Sequence, residues 1–138
     1  MRTQLHHLVS EAAATRGDAP AVTVKDTTRT YAQLWAETAA VGAGLRRLGL
    51  AASPPSATNQ PLSGERVAVY LDKRVETVTA IFGASAAGGV FVPVNPLLRP
   101  RQVRFILADC DVKVLVTTPE RLAMLRAELA ECKALEHV

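Results

Sequence analysis

Residues 83–90, which read Gly-Ala-Ser-Ala-Ala-Gly-Gly-Val, have the glycine spacing of a phosphate-binding loop. Such a loop follows a strand and opens a helix, so that backbone N–H groups face the phosphate, and a lysine follows its second glycine. Here that lysine is missing, and the glycines close a predicted helix and lead into a strand. The same order argues against a dinucleotide fingerprint. We expect these glycines to stop a helix and to allow tight helix–strand packing.

Polar residues follow the ends of two predicted strands. Asp72, Lys73, Arg74 and Glu76 come after the first of them, and Asn95 follows the next. Ligands of open α/β sheets bind beyond the carboxyl ends of strands, so all five residues have a claim to function. A solvated charge cluster at the start of a helix is the simpler explanation for the first four. We expect the Asn95 side chain to hold the backbone of its own loop.

Histidines and cysteines offer no pattern that is typical of catalysis. His6 and His7 are adjacent on a predicted helix and should point in different directions, and His137 is far away in the sequence. Cys110 and Cys132 have neither metal-ligand spacing nor the partner pattern of a thiol nucleophile. We expect two reduced, partly buried thiols in a cytoplasmic protein. The sequence therefore predicts no catalytic residue, no cofactor-binding residue and no metal ligand in this chain.

The composition is that of an ordinary globular protein. Of the 138 residues, 49% are hydrophobic and 21% are charged, which suits one domain with a real core. The net charge is +3, and the dense basic patch at Arg99, Arg101 and Arg104 fits a solvated helix face. Nucleic-acid binders add a denser basic stripe or stacking aromatic residues, so we expect no nucleic-acid partner.

An uncharged stretch, residues 77–98, is long enough to cross a bilayer. It contains prolines and polar residues, and it breaks at Gly88 and Gly89. A buried helix followed by a buried strand explains this pattern better, so we expect no membrane span.

Apolar periodicity and turn signals divide the chain into helices and strands. Strands are predicted over residues 21–24, 66–71, 90–94 and 112–117, with residues 29–31 pairing back on the first as a hairpin. Helices are predicted over residues 5–15, 75–87, 100–108 and 119–131, and another begins at Thr30 and stops at Gly49. Thr30 and Gln33 have the spacing of a capping box.

The buried stripes of the first two helices follow from helical spacing. The first is predicted to bury Leu5, Leu8, Val9 and Ala12, and the second Leu34, Thr38, Val41, Leu45 and Leu48.

Apolar strands that alternate with helices predict an α/β fold, with a mostly parallel sheet flanked by helices on both faces. A short N-terminal helix and hairpin precede this sheet. Residues 51–64 are rich in proline and serine and are expected to form a flexible surface insertion. Residues 1–138 form one segment, and His137 and Val138 resemble the start of another element, as in a truncated domain.

Three segments together resemble the adenylate-forming superfamily, which contains acyl-CoA synthetases, luciferases and amino-acid-activating domains. Residues 29–35, Arg-Thr-Tyr-Ala-Gln-Leu-Trp, resemble its Thr/Ser-Tyr-x-Glu-Leu signature, with Gln33 in place of the commoner glutamate. Residues 86–96, Ala-Ala-Gly-Gly-Val-Phe-Val-Pro-Val-Asn-Pro, resemble its Ala-Gly-x-x-x-Val-Pro-Leu-Asn-Pro signature. Residues 64–71 lie between them and resemble its Gly-Asp-x-Val-Ala strand. The similarity covers almost the whole chain, although the insertion is longer than usual.

The resemblance implies the N-terminal part of an AMP-forming acid–thiol ligase, closest to acyl-CoA synthetases because Asn95-Pro96 replaces the aspartate common in amino-acid-activating domains. Such ligases use ATP, Mg²⁺ and CoA to convert a carboxylic acid, here expected to be a fatty acid, into a thioester. The family's Pro-Lys-Gly phosphate loop, its later Tyr-Gly-x-Thr-Glu motif and its C-terminal lysine are missing from these residues. The resemblance therefore implies an inactive fragment whose partner is the remainder of its parent chain.

A second hypothesis is open at this point. The chain can also be a free-standing α/β interaction or small-ligand domain without catalysis, whose resemblance reflects ancestry only. Neither the acyl chain, the thiol acceptor nor the oligomeric state follows from the sequence.

Overall fold

The computed structural model describes residues 4–50 and 64–138, so residues 51–63 of the predicted insertion lie outside the described residues. The helices within these ranges are α1 (His7–Arg16), α2 (Tyr31–Arg47), α3 (Val75–Ala86), α4 (Pro100–Asp109) and α5 (Pro119–Leu129). The strands are β1 (Pro20–Val24), β2 (Thr27–Thr30), β3 (Arg66–Tyr70), β4 (Val90–Pro93) and β5 (Val112–Thr117).

A parallel sheet in the order β4–β3–β5 forms the centre, and β1 and β2 form a separate antiparallel hairpin. Val67 of β3 lies level with Phe91 on one side and with Val114 on the other. On the far side of β5, Val114 and His137 form a parallel bridge. The N–H of Leu115 donates to the carbonyl of His137 at 3.0 Å. The predicted start of another element at His137 therefore lies in the plane of the sheet.

Successive residues of β3 point into two different apolar layers. Val67 packs with Ala84 of α3, on the face that α2 also covers. Tyr70 packs with Leu107 of α4 and Leu125 of α5 on the opposite face. The connections from β3 to β4 and from β4 to β5 run in opposite directions across the sheet, so right-handed crossovers place α3 and α4 on opposite faces. The predicted helix–sheet–helix arrangement is confirmed.

Local signals in the sequence set the ends of the helices. The Thr30 hydroxyl accepts from the N–H of Gln33 at 3.3 Å, and the Gln33 side chain accepts from the N–H of Thr30 at 3.0 Å, which confirms the capping box. Thr118 caps α5 by accepting from the N–H of Arg121 at 3.3 Å. Gly49 has a φ of 86°, the left-handed conformation expected where a helix stops.

The glycines of residues 83–90 serve packing, although not only in the predicted way. Gly88 has a φ of 85° just after α3 and confirms the predicted helix stop. A Cβ on Gly83 would lie 2.5 Å from Cγ1 of Val41, so this glycine brings α3 onto α2 and not onto a strand. A Cβ on Gly89 would lie 2.9 Å from the carbonyl oxygen of Glu65, where α3 turns into β4.

Two residues of the predicted buried stripes were placed wrongly. Leu48 is 43% exposed because α2 ends at Arg47 and Leu48 is already its C-cap. Leu8 is 58% exposed because only a narrow side of α1, the side that contains the buried Val9, packs on α2.

The stretch from residue 77 to 98 forms α3, β4 and the following loop, as predicted. Among the described residues, no helix is both long and apolar enough to cross a membrane.

Candidate functional site

The carboxyl ends of the three parallel strands meet at one edge of the sheet. β3 continues into α3 on one face, whereas its neighbours β4 and β5 continue into α4 and α5 on the other face. Open α/β sheets bind ligands in the crevice that such a reversal opens beyond the strand ends. The loops that leave the strands there contain Asp72, Asn95 and Thr118, and we take this carboxyl edge as the candidate site.

Arg121 ties the loops of the carboxyl edge together. Its Nη2 donates to the Asp72 carboxylate after β3 at 2.6 Å, and its Nη1 donates to the Pro96 carbonyl after β4 at 3.0 Å. The guanidinium carbon also lies 4.5 Å from the centre of the Tyr70 ring. The Arg121 side chain is only 14% exposed, whereas Asp72 is 69% exposed. One largely buried cation on α5 therefore holds the loops of two neighbouring strands, and we call Arg121 with Asp72 and Pro96 the Arg121 bracket.

Tyr70 extends the Arg121 bracket by hydrogen bonds to the segments that follow β4 and end β5. Its hydroxyl donates to the Leu98 carbonyl at 2.9 Å, and its own carbonyl accepts from the Thr117 hydroxyl at 2.9 Å. Tyr70 is 2% exposed, so its hydroxyl needs such a partner. The ends of β3, β4 and β5 are thus joined by side chains as well as by the sheet.

The charged residues at the start of α3 stay apart from this bracket. Arg74 and Glu76 form an ion pair with Nε and Oε2 2.9 Å apart, and their side chains are 45% and 61% exposed. The hydrogen bond from Arg74 lowers the pKa of Glu76 to about 2. Lys73 is exposed beside them. The simpler sequence interpretation, a solvated cluster at a helix start, is confirmed for these three residues, whereas Asp72 joins the Arg121 bracket.

Asn95 performs the local task that the sequence indicates. Its side-chain oxygen accepts from the N–H of Leu97 at 2.9 Å, which fixes the turn after β4. A cavity of about 410 Å³ lies between this turn and the end of β3. Its walls are mainly apolar, and its lining includes Val69, Leu71, Ile81, Pro93, Val94 and Pro96.

A wider cleft of about 800 Å³ lies between the β1–β2 hairpin and the start of α3. Both signs of charge line it, and the Arg29–Glu37 ion pair, with Nε and Oε1 2.6 Å apart, forms part of its wall. This ion pair helps to hold the hairpin on α2.

The histidines and cysteines lie away from the carboxyl edge. The rings of His6 and His7 are in edge-to-face contact with centroids 4.4 Å apart, so the prediction that they point apart was wrong. The reason is that α1 begins only at His7. Cys110 and Cys132 are free thiols, and burial raises the pKa of Cys132, which makes it a poor nucleophile.

The basic patch around α4 is partly paired. Arg104 contacts the carboxylates of Glu128, at 3.3 Å, and of Glu131 on and after α5. Arg99 and Arg101 are exposed, as expected for a solvated helix face.

Sequence reasoning missed Arg121 and its bracket. Its place in the first turn after the third parallel strand was a usable signal, since that turn must reach the carboxyl edge. No local pattern in the sequence indicates that the Arg121 side chain points towards the loops that follow β3 and β4.

The residues of this edge do not fit a nucleotide. Triphosphate recognition needs several available cations or free backbone N–H groups. Of the three cations described at this edge, Arg121 and Arg74 already bind carboxylates, which leaves the exposed Lys73 alone for a phosphate. Across residues 4–50 and 64–138, no group of three potential metal ligands comes together. We therefore assign no step of nucleotide chemistry to these side chains.

The sequence as a whole matches one protein family over residues 9–138. The chain belongs to the AMP-binding enzymes. Its fold is that of the N-terminal part of the adenylate-forming ligases.

Known AMP-binding enzymes of different kinds resemble the chain. A sulfoacetate–CoA ligase of Cupriavidus necator is 39% identical over 69 residues, which are 50% of this chain and 14% of the ligase. Nonribosomal peptide synthetase 7 of Gibberella zeae is 33% identical over 112 residues, which are 81% of this chain and 2% of the synthetase. The crystal structure of the anthranilate CoA ligase AuaEII with anthranoyl-AMP superposes with a TM-score of 0.84 and 27% identity. That match covers 98% of this chain and 24% of AuaEII, so the chain spans a small part of each of these proteins.

Proposed function

We propose that this chain is the N-terminal scaffold of an AMP-forming acid–thiol ligase of the acyl-CoA synthetase type. Such a ligase joins a carboxylic acid to ATP, which gives an acyl-adenylate and pyrophosphate. The thiol of CoA then displaces AMP and forms the thioester. On this proposal, residues 1–138 are one N-terminal subdomain segment, and the parent chain supplies the groups that bind ATP, Mg²⁺ and CoA.

The observation that carries the proposal is the family match over residues 9–138 of a chain without the Pro-Lys-Gly phosphate loop. The carboxyl edge supports the same view. Its largely buried cation, Arg121, already donates to Asp72 and Pro96, and the Asn95 side chain accepts from the backbone of its own turn. These groups position loops and do not present a nucleophile or an acid–base pair.

Three features support CoA as the acceptor thiol. Asn95 and Pro96 stand where amino-acid-activating domains often have aspartate. A sulfoacetate–CoA ligase is 39% identical over half of the chain. The anthranilate CoA ligase matches nearly the whole chain.

A second candidate is the corresponding part of an amino-acid-activating domain, whose product passes to a carrier-protein thiol. The match to a nonribosomal peptide synthetase over 81% of the chain favours it. The two candidates share the adenylation step and differ in the acid and the acceptor.

The test compares the 138-residue chain with the complete protein of its reading frame. ATP–pyrophosphate exchange is measured with a panel of fatty, aromatic and amino acids, and thioester formation is then measured with CoA. We expect exchange and CoA thioester from the complete protein with a carboxylic acid that lacks an α-amino group. We expect neither reaction from the 138 residues alone.

Each outcome bears on a separate part of the proposal. Exchange catalysed by the 138 residues would overturn the scaffold role. Exchange by the complete protein with amino acids only, and without CoA thioester, would establish the second candidate. A reading frame with no Pro-Lys-Gly loop, and no exchange with any acid, would favour the free-standing domain.

A further inference from the structure

The outer edge of β4 is poorly suited to accept a further strand. The N–H groups of Val90 and Val94 donate to carbonyls on the β3 side, at 2.9 and 3.0 Å. Successive residues of a strand direct their backbone groups to opposite edges, so Phe91 and Pro93 face outward. Proline has no N–H, and the carboxyl end of this outer edge therefore lacks a donor.

The outer edge of β5 keeps its donors. The N–H of Leu115 donates to the His137 carbonyl at 3.0 Å, and the N–H of Glu136 donates to the Lys113 carbonyl at 2.9 Å. Lys113 and Leu115 therefore direct their backbone away from β3, and by the same alternation Thr117 does so too. The next two groups along this edge are the carbonyl of Leu115 and the N–H of Thr117, an acceptor followed by a donor.

The segment that contains His137 already lies along this edge in the direction of the other strands. His137 forms a parallel bridge with Val114. The Glu136 carboxylate lies 3.6 Å from Nζ of Lys113, whose side chain is only 16% exposed. Leu135 packs against the apolar layer of α4 and α5. Backbone, charge and apolar contacts thus hold this segment in the position of a strand that begins beside β5.

We propose that the residues which directly follow Val138 in the parent chain continue this segment as a fourth parallel strand, paired with the outer edge of β5. The inference rests on the proposed function, because it needs a longer parent chain. In the parallel pattern, the first residue after Val138 donates its N–H to the Leu115 carbonyl, and its own carbonyl accepts from the N–H of Thr117. The β5 edge is therefore the surface on which the parent chain extends the sheet.

The direction of the added strand decides where the parent chain reaches the candidate site. Parallel strands bring their carboxyl ends to one edge of a sheet, so the added strand ends beside Thr117 and next to Thr118, the cap of α5. The loop that leaves it begins at the carboxyl edge, in line with the loops of Asp72 and Asn95. The first groups that the parent chain adds to this crevice come from that loop.

Hydrogen exchange at single-residue resolution tests the added strand. The complete protein of the reading frame is compared with the 138-residue chain at one pH. The amide of Leu115 should be protected in both proteins, because both contain its acceptor, the His137 carbonyl. The amide of Thr117 should exchange about 100-fold more slowly in the complete protein, because the added strand supplies its acceptor.

Two substitutions of Thr117 in the complete protein separate strand pairing from simple burial. Thr117→Val and Thr117→Pro both lose the 2.9 Å hydrogen bond from the hydroxyl to the Tyr70 carbonyl, but only proline also removes the N–H on the outer edge. Thr117→Pro should therefore speed hydrogen exchange in the first residues after Val138 by about tenfold or more relative to Thr117→Val, the matched control.

The same rate of hydrogen exchange at Thr117 in both proteins would overturn the added strand. Equal exchange after Val138 in the two variants would overturn it as well. ATP–pyrophosphate exchange by the same complete protein tests the proposed function separately. A slow Thr117 amide in a protein without that activity would keep the strand and refute the ligase. An active protein with a fast Thr117 amide would refute the strand alone.

Discussion

Replacement of Arg121 by methionine removes the guanidinium and keeps most of the apolar stem. Three interactions disappear, and their sizes can be estimated separately. The pair with the exposed Asp72 is worth about 0.5 kcal/mol, as for surface ion pairs. The hydrogen bond to the Pro96 carbonyl is worth about 1 kcal/mol. The contact with the buried Tyr70 ring adds about 0.5–1 kcal/mol. The free energy of unfolding should therefore fall by about 2 kcal/mol.

Equilibrium unfolding in urea, followed by far-UV circular dichroism, measures this change. The midpoint should shift while the slope with urea stays constant, because the surface exposed on unfolding is hardly altered. Asp72→Asn is the matched control and should cost less than about 1 kcal/mol, since it removes the exposed pair alone. Arg121→Lys should fall between the two, because an ammonium cannot donate to both oxygens from one planar fork.

Salt separates the contributions further. Added salt screens the exposed Asp72 pair more than the buried contacts with Pro96 and Tyr70, so most of the Arg121→Met effect should persist in high salt. A cost within about 0.5 kcal/mol of zero for Arg121→Met, or an equal cost for Asp72→Asn, would refute the view that Arg121 joins the strand ends.

Three other changes test the packing and the charges. The hydroxyl of Thr38 is buried and has no hydrogen-bond partner among the described residues, so Thr38→Val should leave stability unchanged or raise it by about 1 kcal/mol. Its control, Thr79→Val, loses a 3.2 Å hydrogen bond to a helix carbonyl and should not stabilise the protein. Gly83→Ala places a methyl group against Val41 of α2 and should lower the free energy of unfolding by about 1–3 kcal/mol. Its control, Gly44→Ala, meets no described atom within 4 Å and should be neutral or stabilising. The urea midpoints of the variants test both the threonine pair and the glycine pair. The pKa of Glu76 lies near 2 against an ordinary 4.5, so its contribution to stability is complete above pH 4.5 and is lost as the pH falls through about 2. An acid titration of the urea midpoint should therefore show a smaller loss in Glu76→Gln, and an identical profile would contradict the ion-pair explanation.

Much of the fold could be predicted because the signals that set it are local. The capping box of Thr30 and Gln33, the left-handed glycines after α2 and α3, and the apolar runs of the three strands all depend on neighbouring residues. The wrong prediction for Leu8 has a tertiary cause. The exposure of Leu8 depends on how much of α1 its neighbour covers, which helical spacing cannot state.

The candidate site could be predicted only as a location. Asp72 and Asn95 were singled out because strand ends in a parallel sheet bind ligands, and the structure does place them at one edge. Their partners were not predictable. Arg121 lies 49 residues from Asp72, and the pairing exists because β3 and β5 are neighbours in space.

The sequence by itself determined the parallel α/β architecture, the positions of most helix ends and the family resemblance, since periodicity, caps and signature motifs act over a few residues. Only the tertiary structure decided which charges are used and which are available. The strand order β4–β3–β5 brings Arg121 to Asp72 and Pro96, and the docking of α1 brings His6 to Ser85 and Trp35. Such contacts join residues far apart in the chain, so they arise from the packing of whole elements and leave no local pattern in the sequence.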